Sequence, residues 1–386
     1  MSWPTKPLGE LATFRNGLNY TKANFGRGIK VINVKDFQSF AQPEYDTLDE
    51  IDPAGLVDDD DILRHGDIVF VRSNGNRELV GRSLLINEPP EPIAFSAFAI
   101  RARFTDCSSV PHFYAHFFRS PEFRRRLSLQ GAGTNICNLN QTILRHISVP
   151  APPPDIQVEV SAVLNTYDDL ITNSRRRMTL LEEAAQLLYH EWFVRLRYPG
   201  HEHVRAVEGV PTGWERVPLG QRITLNYGKA LKADDRIEGP FPVFGSSGIV
   251  GTHEKPLVNG PGIVVGRKGN VGSVYWSPIP FFPIDTVYFI APDTSDLYLY
   301  YAIKQMQFIS TDVAVPGLNR DFAYSRPLLC PARQIRDAFL DAVSPIHTQL
   351  AILDELNSKL REARDLLLPR LMSSEITVKE AASDVH

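Results

Sequence analysis

The chain has 386 residues, 43% hydrophobic and 22% charged, with a formal net charge of −4. That length exceeds one ordinary core and suits two domains plus connecting elements. The acidic balance argues against a protein coated in nucleic acid, but not against one that grips DNA through a local basic face. No apolar run approaches membrane-spanning length, and Met1-Ser-Trp-Pro-Thr-Lys6 lacks the apolar core of a cleavable signal. Three cysteines, Cys107, Cys137 and Cys330, never sit as C-x-x-C. A reduced, cytoplasmic location without a zinc finger is expected.

In chain order, Gly66-Asp-Ile-Val-Phe-Val71 reads as a turn and a β-branched strand. A polar loop, Arg72-Ser-Asn-Gly-Asn-Arg-Glu78, leads to a second apolar run, Ser83–Ile86. A helix is predicted around Phe113–Phe118, and an Asn-rich segment, Asn135–Gln141, precedes the proline knot Pro150–Pro154. From Asp155 to Tyr198 there is neither Gly nor Pro. Ile156, Val160, Val163, Tyr167, Ile171, Ser174, Met178, Leu181, Ala185, Leu188 and Trp192 recur there in steps of three and four, the face of a long helix. Tyr189, Trp192, Phe193 and Leu196 crowd more than one face near its end. They fit a surface for another protein or a contact with the second domain equally well.

The pattern then repeats. Trp3, Pro7-Leu8-Gly9, Thr13 and Gly17 match Trp214, Pro218-Leu219-Gly220, Thr224 and Gly228, each 211 positions later. Gly262-Ile-Val-Val265, the loop Gly266-Arg-Lys-Gly-Asn-Val-Gly272 and Ser273-Val-Tyr-Trp276 restate the strand, loop and strand. A second helix is predicted at Tyr298–Met306, and Gly317-Leu-Asn-Arg-Asp321 restates the Asn-rich segment. The long-helix stripe returns as Ile335, Phe339, Ala342, Ile346, Leu353, Leu356, Leu360, Ala363, Leu367 and Leu371. Pro152 and Pro331, Leu181 and Leu360, and Leu188 and Leu367 each lie 179 apart. The module is therefore written twice. Its expected class is α+β, with boundaries at 1–150, 151–197 (helical), 198–213 (linker), 214–329, 330–373 (helical) and 374–386 (tail).

Ser344-Pro345 and its partner Asn165 read as N-caps, so each helical region is expected to be a short helix followed by a long one, near 166–196 and 345–371. The longer would span roughly 45 Å. So narrow a stripe needs a partner, and the two copies are expected to pair as an antiparallel coiled coil. Met178, Leu181, Leu188, Leu353, Leu360 and Leu367 would form the seam. Arg175-Arg-Arg177 would then face Glu362 and Asp365, and Glu182 and Glu183 would face Lys359.

No enzyme site can be assembled. A nucleotide loop of the form G-x-x-x-x-G-K-[ST], a G-x-G-x-x-G turn and a methyl-donor signature of the form N/D-P-P-Y are all missing. Gly245-Ser-Ser-Gly248 only superficially resembles a nucleophile elbow. The run Asp58–Asp61 has the character of a solvated loop rather than a cation site, and His201 and His203 that of exposed linker residues.

The two loops instead carry what reading DNA requires. Arg grips guanine with two bonds, Asn does so with adenine, and Lys or Ser holds phosphate. The candidates are Arg72, Ser73, Asn74, Asn76 and Arg77 in the first module, and Ser246, Ser247, Arg267, Lys268 and Asn270 in the second. Arg124-Arg-Arg126 could add phosphate contacts or form a solvated helix end. The same Gly, Asn and Ser content also serves an ordinary hairpin turn, so composition leaves both readings open.

Taken in this order, Pro7-Leu-Gly9, the segment 66–75, the hairpin 265–275, Gly317-Leu-Asn-Arg320 and the duplicated helices resemble the specificity subunit of Type I restriction–modification systems. The resemblance covers essentially the whole chain. It implies a non-catalytic subunit with two target recognition domains that read a bipartite double-stranded DNA site. It also implies a pseudo-twofold repeat, and paired helices that hold the domains at fixed spacing and dock two methyltransferase subunits. S-adenosylmethionine, ATP and Mg2+ would belong to partner modification and restriction/translocase subunits. The alternative is a non-catalytic protein-interaction scaffold in a phage-defence complex.

Overall fold

The runs Ile68–Val71 and Gly262–Gly266 do not alternate apolar with polar residues, and every residue in both is buried. A strand of this kind must be covered on both faces. The computed structural model describes residues 3–37, 42–76, 78–130, 138–306, 308, 317–378 and 380. It divides into two compact units, residues 1–175 with 355–386, and residues 176–354.

The strands of the first unit are β1 (Thr5–Pro7), β2 (Ala12–Asn16), β3 (Phe25–Ile32), β4 (Asp49–Ile51), β5 (Ile68–Val71), β6 (Ser83–Leu85), β7 (Ile93–Phe95), β8 (Ala99–Phe104) and β9 (Ser148–Pro150). They form sheets of order β2-β8-β5-β6, β4-β3-β7 and β1-β9, in which only the β3–β7 pair is parallel. The helices are α1 (Leu8–Leu11), α2 (Pro111–Arg119), α3 (Pro121–Gln130), α4 (Gln141–His146) and the start of α5 (Pro154–Tyr189). Alternate residues of β5 part to opposite sides. Ile68 and Phe70 join the cluster of Phe113, Phe117 and Phe118 on α2, with Phe70 and Phe118 edge to face at 4.8 Å. Val69 and Val71 pack with Ile32, Phe37 and Phe95 instead. Proline at the first helical position begins both α2 and α3.

The second unit repeats this plan. Its strands are β10 (Ala206–Val207), β11 (Val210–Pro211), β12 (Glu215–Pro218), β13 (Asn226–Tyr227), β14 (Phe241–Gly245), β15 (Gly248–His253), β16 (Gly262–Gly266), β17 (Val274–Ser277), β18 (Phe282–Pro283), β19 (Val287–Ile290) and β20 (Pro327–Cys330). Beside the hairpin β10-β11, the sheet orders are β13-β19-β16-β17, β15-β14-β18 and β12-β20, again with one parallel pair, β14–β18. Its helices are α6 (Leu297–Gln305), α7 (Arg320–Ser325) and part of α8 (Arg333–Met372). Ile263 and Val265 face α6, and Val264 faces Phe244 and Phe281. The α+β class and the duplicated strand–loop–strand device are as expected.

The helical regions depart from expectation in three ways. First, α5 and α8 run without a break. Asn165 does not cap; it accepts a hydrogen bond from His116 Nε2 at 2.8 Å. Ser344 Oγ donates to the Leu340 carbonyl at 2.6 Å. Asp341 and Pro345 are exposed, so water can serve the carbonyl that Pro345 leaves without a donor, and the helix continues. Second, Ala342 and Leu356 point outward, while Val343 and Asn357 are buried. Of the seam residues, Leu353 and Leu367 are buried and Met178, Leu181, Leu188 and Leu360 half-buried.

Third, the charge pairs differ. Arg175 lies within electrostatic reach of Arg361, Arg364, Glu44 and Asp168. Lys359 pairs with Glu355 on its own helix at 2.7 Å, and Arg177 meets Gln349 at 3.1 Å. The register follows Asp168, whose carboxylate takes Arg119 and Arg364 at 2.6 Å each. Burial alone would raise that carboxyl, but Arg119, His116 and Arg364 outweigh it and hold it low. In the first unit Val160 and Leu164 share a core with Leu367 and Leu371. In the second, Ala185, Tyr189 and Phe193 share one with Val343 and Phe339. Rising numbers on α5 thus meet falling numbers on α8 within each unit.

The aromatic crowding near the end of α5 is internal. Phe193 lies 4.8 Å from Tyr298, 5.0 Å from Phe339 and 5.8 Å from Trp214. Tyr198 packs on Trp214 at 4.7 Å.

Two histidines are held neutral beside these helices. Burial, reinforced by Arg119, pushes His116 down to about 4; burial and Lys304 push His347 down to about 4. Unfolded, each binds a proton near pH ~6.5. Between these values the unfolded chain holds more protons, so stability is complete above pH ~6.5 and is lost as pH falls toward 4. The expected slope is about 1.4 kcal/mol per pH unit for each histidine. Denaturant titrations at pH 7.5 and 5 check it. A His116→Gln/His347→Gln double variant with an unchanged pH dependence would exclude the histidines as its source.

Candidate nucleic-acid interface

The loop after β5 begins with a half-buried arginine. The Arg72 N–H donates to the Phe98 carbonyl at 2.7 Å, and its guanidinium donates to the Ala97 carbonyl at 3.4 Å. Its own carbonyl accepts the Leu139 N–H at 2.7 Å, and Ser73 bridges to Asn138. Asn74 and Asn76 each accept a backbone N–H two residues on, at 2.7 and 3.0 Å. These are Asx turns, in which the amide oxygens shape the loop. Arg77 lies outside the described residues, as do Asn135–Cys137 of the Asn-rich segment.

The second unit holds Arg267 in the same way. Its N–H donates to the Thr286 carbonyl at 2.9 Å, its guanidinium to the Asp285 carbonyl at 3.2 Å, and its carbonyl accepts Leu318 N–H at 2.9 Å. Lys268 bridges to Gly317. Asn140 and Asn319, one residue after the paired leucines, both cap the helix that follows. Gly17 and Gly228 mark the same spot in each fold. A Cβ on Gly17 would stand 2.3 Å from the Phe95 oxygen, and one on Gly228 2.1 Å from the Ile284 oxygen. Only glycine fits there.

The 245–248 turn lies against this second loop. Ser246 Oγ accepts the Asn270 N–H at 3.4 Å, and the Ser246 carbonyl accepts Ser273 Oγ at 2.6 Å. A Cβ on Gly266 would meet the Asn270 oxygen at 2.2 Å. Thus Ser246, Arg267, Lys268 and Asn270 come together on one surface, with Ser247 exposed beside them. The sequence reading did not select Tyr227, Tyr288 or Arg320, which complete that surface. They line an open cleft of about 400 Å³ with Arg267, Lys268 and Asn319. The Arg267 guanidinium sits 4.9 Å from the Tyr227 ring centre and 5.7 Å from that of Tyr288. Burial pushes the Tyr288 phenol up. The position of Tyr227 just before Gly228, and of Arg320 within Gly317–Asp321, was the available signal.

Other charged candidates are spent internally. Arg124 donates to the Val80 and Glu78 carbonyls at 2.5 and 2.7 Å, bracing the 72–82 loop from α3. Arg125 and Arg126 pair with Glu122 at 2.8 and 2.7 Å. Asp58–Asp61 forms a capping box around a short 3-10 turn, with Asp61 bonded to Arg15 at 2.8 Å. His201 and His203 are exposed beside Glu202. Among the described residues, no three His, Cys, Asp or Glu side chains group to hold a metal ion, and no helix is long and apolar enough to cross a membrane.

The family model described as the Type I restriction modification DNA specificity domain matches residues 2–183 and again 211–322. The chain belongs to this family. Its relatives include the MjaIX specificity subunit of Methanocaldococcus jannaschii, 22% identical over 303 residues and 70% of each chain. The StySPI specificity subunit of Salmonella potsdam is 28% identical over 192 residues, 48% of this chain and 40% of that one. Over that second relative the chain therefore spans less than half the length. Among solved structures, a Type I S subunit from M. genitalium shares the fold with a TM-score of 0.56, at 17% identity and 96% coverage of both chains. The specificity-subunit resemblance read from the motifs is confirmed, and the double match falls on the two copies of the module.

Because Arg124 braces the first loop without belonging to it, Arg124→Ala is expected to loosen residues 78–82 while sparing the core. Hydrogen exchange of the Gly81 and Arg82 amides should quicken roughly tenfold. Unchanged protection there would show that the loop holds its own shape.

Proposed function

We propose that this specificity-family chain reads a bipartite double-stranded DNA target. Residues 1–150 and 214–329 act as two target recognition domains, each taking one half-site. The observation that carries this reading is the pair Arg72 and Arg267. Equivalent backbone bonds hold both at the same point of two copies of one sheet arrangement, each at the head of an accessible loop. A structural turn has no need to present the same arginine twice. Arginine edges and amide groups are what base edges in the major groove recognise.

In this reading residues 151–197 and 330–373 pair as an antiparallel coiled coil and dock adenine methyltransferase subunits, with 198–213 as linker and 374–386 as tail. Leu180, Leu187 and Val194 recur every seven residues and are 57%, 59% and 46% exposed. Exposed apolar positions of this kind fit a surface that another protein covers. The chain itself performs no catalytic step. Methylation and its S-adenosylmethionine, and translocation or cleavage with ATP and Mg2+, belong to the partner modification and restriction subunits.

Mapping adenine methylation in cells with and without the chain, in the presence of its methyltransferase subunit, tests the proposal. The expected result is a bipartite mark that appears only with the chain. Arg72→Ala and Arg267→Ala should each weaken recognition of a different half-site by about 1–3 kcal/mol. No mark, with the methyltransferase folded and present, would favour a protein scaffold instead.

A further inference from the structure

Equivalent positions of the two units carry different chemistry. Where the second has Tyr227, Lys268, Tyr288 and Arg320, the first has Asn16, Ser73, Ile100 and Gln141. In the second unit the guanidinium of Arg320 lies 5.3 Å from the centre of the Tyr227 ring, the same ring that Arg267 approaches at 4.9 Å. Arg320 also lies 6.0 Å from Tyr324. Two guanidinium groups and the Lys268 ammonium thus border one cleft that also holds Asp321. Arg267 is engaged by the Asp285 carbonyl and the Tyr288 phenol. Among the described residues neither arginine forms an ion pair. Like charges so grouped repel, and an anion entering the cleft relieves the repulsion.

We propose that this cleft seats one backbone phosphate of duplex DNA, an assignment that rests on the DNA-reading function above. Stacking on tyrosine uses the face of a guanidinium and leaves its N–H edge free. That edge makes paired bonds to phosphate oxygens. A base edge is neutral and would leave three cations facing a single carboxylate, whereas a phosphate supplies the missing charge. Among the described residues the first unit, with Asn16, Ser73 and Gln141 at the matching positions, has no such seat. Arg320 and Tyr227 are therefore positioning residues that anchor the second unit on the DNA backbone and carry no sequence information themselves.

The test uses the full chain in complex with its methyltransferase subunit, and duplexes of several sequences titrated across a range of salt. Arg320→Ala should weaken binding to every duplex alike, by roughly 3–10-fold at low salt, and lower the slope of log affinity against log salt by about 1. Arg320→Lys should retain most of that slope. Arg320→Gln repeats the test without the charge if the alanine variant does not fold. Equal affinity and slope in wild type and variant would overturn the proposal while leaving DNA reading intact. So would a preference lost at one base position with the slope unchanged, which marks a base contact. Saturable binding of inorganic phosphate, lost in Arg320→Ala without any change in duplex affinity, would reassign the cleft to a free anion. A wild-type complex that binds no duplex would instead sink the reading on which the proposal rests.

Discussion

One backbone hydrogen bond organises each module: Leu139 N–H to the Arg72 carbonyl in the first, and Leu318 N–H to the Arg267 carbonyl in the second. Each joins the end of a central strand to the segment that leads into a short helix, an edge strand and a long helix. The strand cannot shift, because it is buried on both faces and a one-residue slip would exchange its two apolar sets. The loop therefore emerges from a fixed point, and its arginine is aimed before any ligand arrives. Preorganisation of this kind reduces the entropy lost on binding.

Charge is distributed by the same logic. Arginines that sequence alone would assign to DNA are often structural. Arg124 braces a loop, Arg125 and Arg126 answer Glu122, and Arg119 and Arg364 neutralise Asp168. A half-buried carboxylate with two guanidinium partners is costly to break, because removing one partner leaves a poorly compensated charge. It also admits few alternative alignments of α5 against α8. Among the described residues the arginines of the cleft around Tyr227 form no ion pair, and this difference separates a binding surface from a scaffold.

Much of the fold was legible because its signals are local. The long helices α5 and α8, the β-branched runs at 68–71 and 262–265, and the two series of matching positions all survive in the structure, although Ala342 and Leu356 leave the buried face of α8. Three readings failed for one reason. The cap at Asn165, the inward placement of Leu356 and the partners of Arg175 all depend on what lies across from the helix. Asn165 meets His116, Asn357 takes the buried face in place of Leu356, and Arg175 comes within reach of Arg361, Arg364, Glu44 and Asp168.

The candidate site divides in the same way. Arg72, Arg267, Lys268 and the flanking serines and asparagines were visible because loop composition and duplication are properties of the chain order alone. Tyr227 and Arg320 were not, since they lie about 40 and 53 positions from Arg267 and meet it only when β13, β16 and α7 converge. By itself the sequence determined a module written twice, its α+β class and its family, all of which rest on the order and spacing of residues. Only the tertiary structure decided which cations are spent on the fold and which remain to bind, because that depends on distances between residues far apart in the chain.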